Sequence, residues 1–267
     1  MKKNIILLAL IFIISSCKSD KNNVLNDVST KHDKIDLVNN NNTKEMTKET
    51  VTFPSLDGLT ITADVYKVDD NPISVLLCHQ AGFSRGEYID TALLLNSYGY
   101  SVMAIDQRSG DGVNDVINET AKLAKSKNLE TEYINGKQDI IAAIDYVYKT
   151  NDNTQLLLVG SSYSATLAML IGEKNNKIKA VAAFSPGEYY KGMNIQNEIK
   201  DLDKPTFVTA SLGETKDLST LVSKMKTENL THYKPIEEGI HGSRVLWKST
   251  KGFQGYRNAF KAFLDTI

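Results

Sequence analysis

Leu156-Leu157-Leu158-Val159-Gly160-Ser161-Ser162-Tyr163-Ser164 is the stretch whose reading decides the fold. Four consecutive aliphatic residues are what a strand covered on both faces looks like. Small residues follow, and then an apolar helical run from Tyr163 to Ile171. Strand, tight turn and helix place Ser162 at the apex, above the end of a sheet. The helix N-terminus behind it favours developing negative charge. Small flanking residues are needed because strand and helix pass very close to each other. The pattern is G-x-S-x-G with Ser164 in place of the last glycine, a residue small enough for the turn to survive. Alone, a bland strand–turn–helix rich in small residues reads much the same, so the surroundings must decide.

Outward from this stretch the chain alternates strand and helix. Thr50 to Phe53 and Thr60 to Tyr66 flank the turn signal Ser55-Leu56-Asp57-Gly58 and read as a hairpin. Apolar strands follow at Ile73 to Cys78, Ser101 to Ile105, Gln155 to Val159, Ile178 to Phe184, Thr206 to Ala210 and Thr231 to Ile236. Between them lie helical patterns at Glu87 to Ser97, Tyr133 to Tyr148 and Tyr163 to Ile171. Two more follow, one carrying Leu218, Leu221, Val222 and Met225, and a last one carrying Tyr256, Phe260, Phe263 and Leu264. An opening hairpin followed by strand–helix units predicts an α/β fold, a mostly parallel eight-stranded sheet with helices on both faces. Ligands then sit beyond the carboxyl ends of the strands, in the loops after Cys78, Val159, Ala210 and Ile236.

Those loops carry the unusual residues. A serine hydroxyl is a poor nucleophile until a base takes its proton, and that base needs an orienting acid. His241, in Gly239-Ile240-His241-Gly242 after the last strand, is in the expected place for the base. The acid should follow Thr206 to Ala210, where Glu214 and Asp217 both stand. Glu214 is favoured, and Asp217 reads as the N-cap of a helix opening at Leu218. The oxyanion hole needs two backbone N–H donors. One comes from Tyr163, after the nucleophile, and the other from Ala81, with Gln80 as the alternative. His79, before the serine in sequence, reads as a brace for its loop, and Asp106 and Arg108 as braces through ion pairs.

His79-Gln80-Ala81-Gly82, Asp106-Gln107-Arg108, Gly160 to Ser164, Phe184-Ser185-Pro186-Gly187 and Gly239 to Gly242 together resemble the α/β-hydrolase superfamily, most closely its dienelactone-hydrolase-like branch. The resemblance covers the chain from about Val51 to its last residue. It implies an α/β-hydrolase fold with a Ser–acid–His order. Dienelactone hydrolases carry a cysteine at the elbow, whereas this chain has Ser162. The resemblance therefore points to a serine esterase rather than to their lactone substrate. The short connection from Phe184 to Thr206 leaves no room for a large cap domain. Asp106 to Tyr133, with a helix at Asn118 to Lys127, is the candidate lid or rim.

Residues 1–49 read differently. Lys2 and Lys3, the apolar run Ile5 to Ile14 and then Ser15-Ser16-Cys17 resemble the lipobox of bacterial lipoproteins. About ten apolar residues are too few to span a bilayer as a helix. The resemblance implies a signal peptide over 1–16, cleavage before Cys17 and lipidation of that cysteine, hence a lipid anchor in the bacterial cell envelope. The rest of 17–49 is rich in Asn and Lys and reads as a flexible tether. The hydrolase domain takes 50–267.

Composition excludes other classes. Lys plus Arg number 31 and Asp plus Glu 32, a net charge of −1, so the basic surplus of a nucleic-acid binder is missing. Two cysteines make no disulfide scaffold, and four histidines with them show no metal-ligand spacing. No metal or organic cofactor is implied. The expectation is a serine hydrolase cleaving a carboxylic or carbohydrate-linked ester through an acyl-enzyme. A catalytically silent, ligand-binding lipoprotein of the same fold is the alternative, and a peptidase of that fold a third reading.

Overall fold

In the computed structural model, which describes residues 46–267 and the backbone of residues 31–34, strand and helix alternate as the apolar pattern demands. The strands are β1 (Lys31–Lys34), β2 (Met46–Pro54), β3 (Thr60–Val68), β4 (Ile73–Cys78) and β5 (Ser101–Ile105). A short hairpin of β6 (Gly112–Val113) and β7 (Val116–Ile117) precedes β8 (Leu156–Ser161), β9 (Ile178–Phe184), β10 (Thr206–Thr209) and β11 (Leu230–His232). The helices are α1 (Ile89–Ser97), α2 (Glu119–Ser126), α3 (Gly136–Thr150), α4 (Tyr163–Lys174), α5 (Ile195–Glu198), α6 (Thr215–Leu221) and α7 (Phe253–Leu264). The main sheet runs β1-β2-β3-β5-β4-β8-β9-β10-β11. Pairing is parallel from β5 to β11 and antiparallel across β1, β2, β3 and β5.

Alternation within the buried strands builds two cores. Leu76 and Cys78 of β4, with Leu158 of β8, face Ile140, Ile144 and Val147 of α3 and Leu167 and Ile171 of α4. Val75 and Leu77, with Leu157 and Val159, face Leu95 of α1 and Tyr256 and Phe260 of α7. Each continuous apolar run is thus two interleaved stripes, one for each helical layer. On the α7 side Phe184, Phe207, Phe260 and Phe263 interlock, with Phe260 edge-on to Phe184 at 5.4 Å between ring centres.

Four segments depart from the sequence expectation. Residues 31–34, read as part of a polar tether, pair antiparallel with β2, Lys31 opposite Thr50. β2 itself begins at Met46 rather than at residue 50. The last strand ends at His232; Ile236, expected within it, is 91 % exposed. The helix after β10 opens at Thr215, so Asp217 lies inside its first turn and is not its N-cap. The expected signal peptide (1–16), Cys17 and most of the tether lie outside the described residues.

The stretch from Asp106 to Tyr133 is tied down over much of its length. Arg85 pairs with Asp106 at 2.6 Å, and Asp106 also accepts from the backbone N–H groups of Arg85 (2.8 Å) and Glu119 (2.9 Å). Burial pushes the Asp106 carboxyl up to about 6 against the pull of Arg85 and those N–H groups. Asn118 caps α2 through Ala121 N–H at 2.7 Å and donates to Gln107 O at 2.9 Å. Arg108 holds Asp139 of α3 and Asp57 of the β2–β3 turn, each at 2.7 Å. Both residues read as braces form ion pairs, Asp106 with Arg85 and Arg108 with Asp57 and Asp139.

Candidate active site

Ser162 stands between β8 and α4 with φ 59° and ψ −123°, a left-handed conformation that a serine adopts only when its surroundings impose it. Ser162 N–H bonds Phe184 O at 2.8 Å, which fixes the turn to the end of β9. A Cβ at Gly160 would collide with the backbone of Ser164 and Ala165, so the first glycine of the pattern is required by close approach. Ser164, where the pattern has its last glycine, uses its hydroxyl. It donates to Cys78 O at 2.6 Å and accepts from Ser161 N–H at 2.9 Å, joining the ends of β4 and β8. The departure from the pattern is therefore filled by a side chain that closes the turn.

The loops after β10 and β11 bring the two predicted partners to Ser162. His241 Nε2 lies 2.8 Å from Ser162 Oγ, and His241 Nδ1 bonds Glu214 Oε1. Glu214 Oε2 accepts from Ser211 Oγ at 2.7 Å, Ser211 N–H at 3.1 Å and Ser185 Oγ at 3.0 Å. Partial burial works to raise the Glu214 carboxyl. The bonds from His241 and Ser211, with the His241 charge and Ser185, outweigh it and hold the carboxyl at about 2. Asp217 lies in the first turn of α6 and lines a cavity beside Glu214, without bonding His241. Of the two candidate acids, the fold brings Glu214 to the histidine.

His241 is held from behind. Gly242 has φ 78°, and a Cβ there would meet Gln80 Oε1 and Ser161 Oγ. Its N–H donates to Ser185 Oγ at 2.9 Å, so Ser185 bridges the backbone beside His241 and the carboxylate that orients its ring.

The loop after β4 supplies the remaining polar backbone. Tyr163 is the first residue of α4, so its N–H has no intrahelical acceptor. Ala81, predicted to supply the second oxyanion donor, sits half-buried in the turn after Gln80. Gln80, the alternative donor, is excluded, because its N–H is spent on Glu87 Oε2 at 2.7 Å. His79 braces the loop as expected. Its Nε2 takes Gln107 N–H at 3.1 Å, which leaves Nδ1 to donate to Gln80 O at 2.8 Å. Burial holds His79 down at about 4, so the ring stays neutral.

Sequence reasoning missed Glu87. Its fully buried side chain ties together the loop after β4, the Ser162 elbow and the His241 loop. Besides Gln80 N–H, it accepts Ser161 Oγ at 2.7 Å and Ser243 Oγ at 2.6 Å, and Ser243 N–H donates to Ser161 Oγ at 2.8 Å. Burial pushes its carboxyl up, against the bonds from Ser243, Gln80 and Ser161. Nothing in its local sequence signals this role. Ser211-x-x-Glu214, by contrast, is a capping-box spacing that could have singled out Glu214, and the structure forms that box.

A mostly parallel sheet, a strained serine between strand and helix, and an acid and a histidine on the following loops define the α/β-hydrolase fold, which this chain has. Solved structures agree over most of its length. An esterase of Pyrococcus furiosus is 16 % identical, with a TM-score of 0.62 over 84 % of this chain and 93 % of its own. A dienelactone hydrolase of Anabaena variabilis is 12 % identical, with a TM-score of 0.64 over 83 % and 98 %. An acetyl xylan esterase of Paenibacillus sp. is 14 % identical, with a TM-score of 0.59 over 90 % and 89 %. Neither a family model nor a curated protein sequence matches the chain.

Proposed function

We propose that the protein is a serine hydrolase that cleaves carboxylic esters. The observation that carries this reading is Ser162 Oγ at 2.8 Å from His241 Nε2, with His241 Nδ1 bonded to Glu214. Ser162 Oγ attacks the ester carbonyl and its proton passes to His241 Nε2. The Ala81 and Tyr163 N–H groups hold the oxygen that becomes negative. The bond to the alcohol breaks, His241 gives its proton to the departing oxygen, and Ser162 is left acylated. Water then attacks the acyl group by the same route and restores the serine. Glu214 keeps the imidazole in the tautomer whose Nε2 accepts. Names of the similar structures, among them esterases, support an ester as substrate.

The test is a fluorophosphonate probe with mass mapping, alongside hydrolysis of p-nitrophenyl acetate. Label on Ser162, and loss of both label and hydrolysis in Ser162→Ala, are expected. An unlabelled protein would point to the silent binding module instead. From the sequence alone we also propose a lipid on Cys17 that anchors the domain in a bacterial cell envelope. Cys17→Ser should move the protein from the membrane to the soluble fraction.

A further inference from the structure

Two depressions flank Tyr189, which borders both, and the first of them reaches Glu214 and Ser185 of the site. Its hydroxyl donates to Ser185 O at 2.9 Å, which fixes the ring beside Ser162. One depression, of about 510 Å³, is lined by Ser185, Glu214, Asp217, Asn194 and Gln196, and lies on the acid side. Its lining includes three carboxylates and no lysine or arginine. Glu188 is occupied at the start of α5, accepting Ile195 N–H at 2.9 Å, and Glu214 is occupied by His241. Asp217 is exposed, lines the cavity and bonds no described residue.

The other depression, of about 440 Å³, is walled mainly by Tyr133, Ile134, Tyr189, Tyr190 and Met193, with one charge of each sign, Glu132 and Lys191, also in its lining. Tyr133, Ile134 and Met193 are 40 %, 41 % and 36 % exposed, an apolar group left open to solvent. It is rigidly joined to the elbow. Tyr133 stacks on Tyr163 with ring centres 4.7 Å apart, and Tyr190 donates to Tyr163 O at 2.7 Å.

The proposed chemistry orients a substrate between the two. His241 must hand its proton to the departing alcohol oxygen, so the alcohol leaves on the side of His241, Glu214 and Ser185. That side is the more polar of the two cavities. The acyl group extends the other way, past Tyr163. Resting on the ester-hydrolase reading above, we infer that the substrate joins an apolar acyl group longer than acetyl to a neutral, hydroxyl-bearing alcohol. The acyl group lies on the Tyr133–Ile134–Met193 shelf, and a hydroxyl of the alcohol bonds Asp217. The acidic lining disfavours an alcohol that carries phosphate or carboxylate.

Steady-state kinetics with p-nitrophenyl esters from acetate to octanoate test the acyl side. kcat/KM should rise by up to about fourfold for each methylene that reaches the shelf. Ile134→Ser and Met193→Ser, both at exposed positions that tolerate exchange, should each cut the hexanoate-to-acetate ratio by roughly tenfold. For the alcohol side, Asp217→Ala should raise KM for a hexanoyl ester of methyl glucoside by about tenfold more than for ethyl hexanoate. A flat chain-length series, or variants that change both members of each pair equally, would overturn the inference. Because Ser162 labelling is scored separately, a flat series on a labelled enzyme sinks only the substrate assignment. An unlabelled enzyme sinks the hydrolase reading itself.

Discussion

Replacing Glu87 should damage catalysis without touching any residue that meets substrate. In Glu87→Gln the side chain keeps its shape and the oxygen that takes Ser161 Oγ and Ser243 Oγ, now at 2.7 and 2.6 Å. It loses the acceptor for Gln80 N–H, at present 2.7 Å away, and sets an NH₂ donor against that donor. The Gln80 N–H is fixed in the backbone and cannot turn to another partner. An orphaned buried donor costs about 1–3 kcal/mol, which in a chain of this length lowers the melting temperature by roughly 3–10 °C. The relief available is movement of the Gln80–Ala81 turn, which carries the proposed oxyanion donor. Complete loss of such a donor costs about 10²–10³ in kcat, so partial displacement should cost roughly tenfold to a hundredfold with KM little changed. Glu87→Ala orphans all three donors and leaves a cavity, so it should lose about 3–5 kcal/mol, a large part of a domain's net stability. The assays are thermal unfolding and p-nitrophenyl acetate kinetics at 25 °C. A Glu87→Gln protein melting within about 2 °C of the parent, with kcat within about twofold, would refute the claim that this carboxyl holds the loops in register.

Three further outcomes follow from the same geometry. Glu214→Gln preserves shape but favours the wrong imidazole tautomer, and should lower kcat by about 10³–10⁴ with the fold intact by circular dichroism. Glu214, at about 2 against an ordinary 4.5, and Asp57, held at about 2 against 3.8 chiefly by its bond from Arg108, are both depressed in the folded state. Their contribution to stability is therefore full above about pH 4.5 and is lost as pH falls toward about 2, which denaturant titrations across that window would read. Gly242→Ala sets a methyl against Gln80 and Ser161 at a φ of 78°, and should abolish activity while far-UV dichroism stays near the parent's.

Ser162 was legible because its signal is local: an aliphatic run, small flanks and a helix within sixteen residues. The same holds for β4, β5, β8, β9 and β10, whose buried runs leave little choice of conformation. β1 is hard to read because Lys31-His32-Asp33-Lys34 has no apolar alternation, and backbone pairing at a sheet edge needs none. The end of β11 was overextended because Ile236 reads as an inward residue, yet it lies beyond Pro235, which can donate no ladder bond. Glu87 was invisible for a different reason. Its partners Ser161 and Ser243 lie 74 and 156 residues away, and a lone glutamate at the head of an amphipathic helix reads as solvated. Ser185 fell in a quoted motif without a role, because its hydroxyl acquires one only when β9, β10 and the His241 loop converge.

The antiparallel strand at residues 31–34 changes how far the domain could stand from a membrane. A tether free up to residue 50 would let it range about 110 Å from a lipid on Cys17, since an extended chain spans at most about 3.5 Å per residue. With β1 laid along β2, the number of residues between Cys17 and Lys31 sets the reach from the proposed lipid, and the limit falls to about 50 Å. That is little more than the width of the domain itself. With the lipid proposed on Cys17, so short a line would hold the proposed hydrolase in the layer next to the bilayer, where amphiphilic esters concentrate.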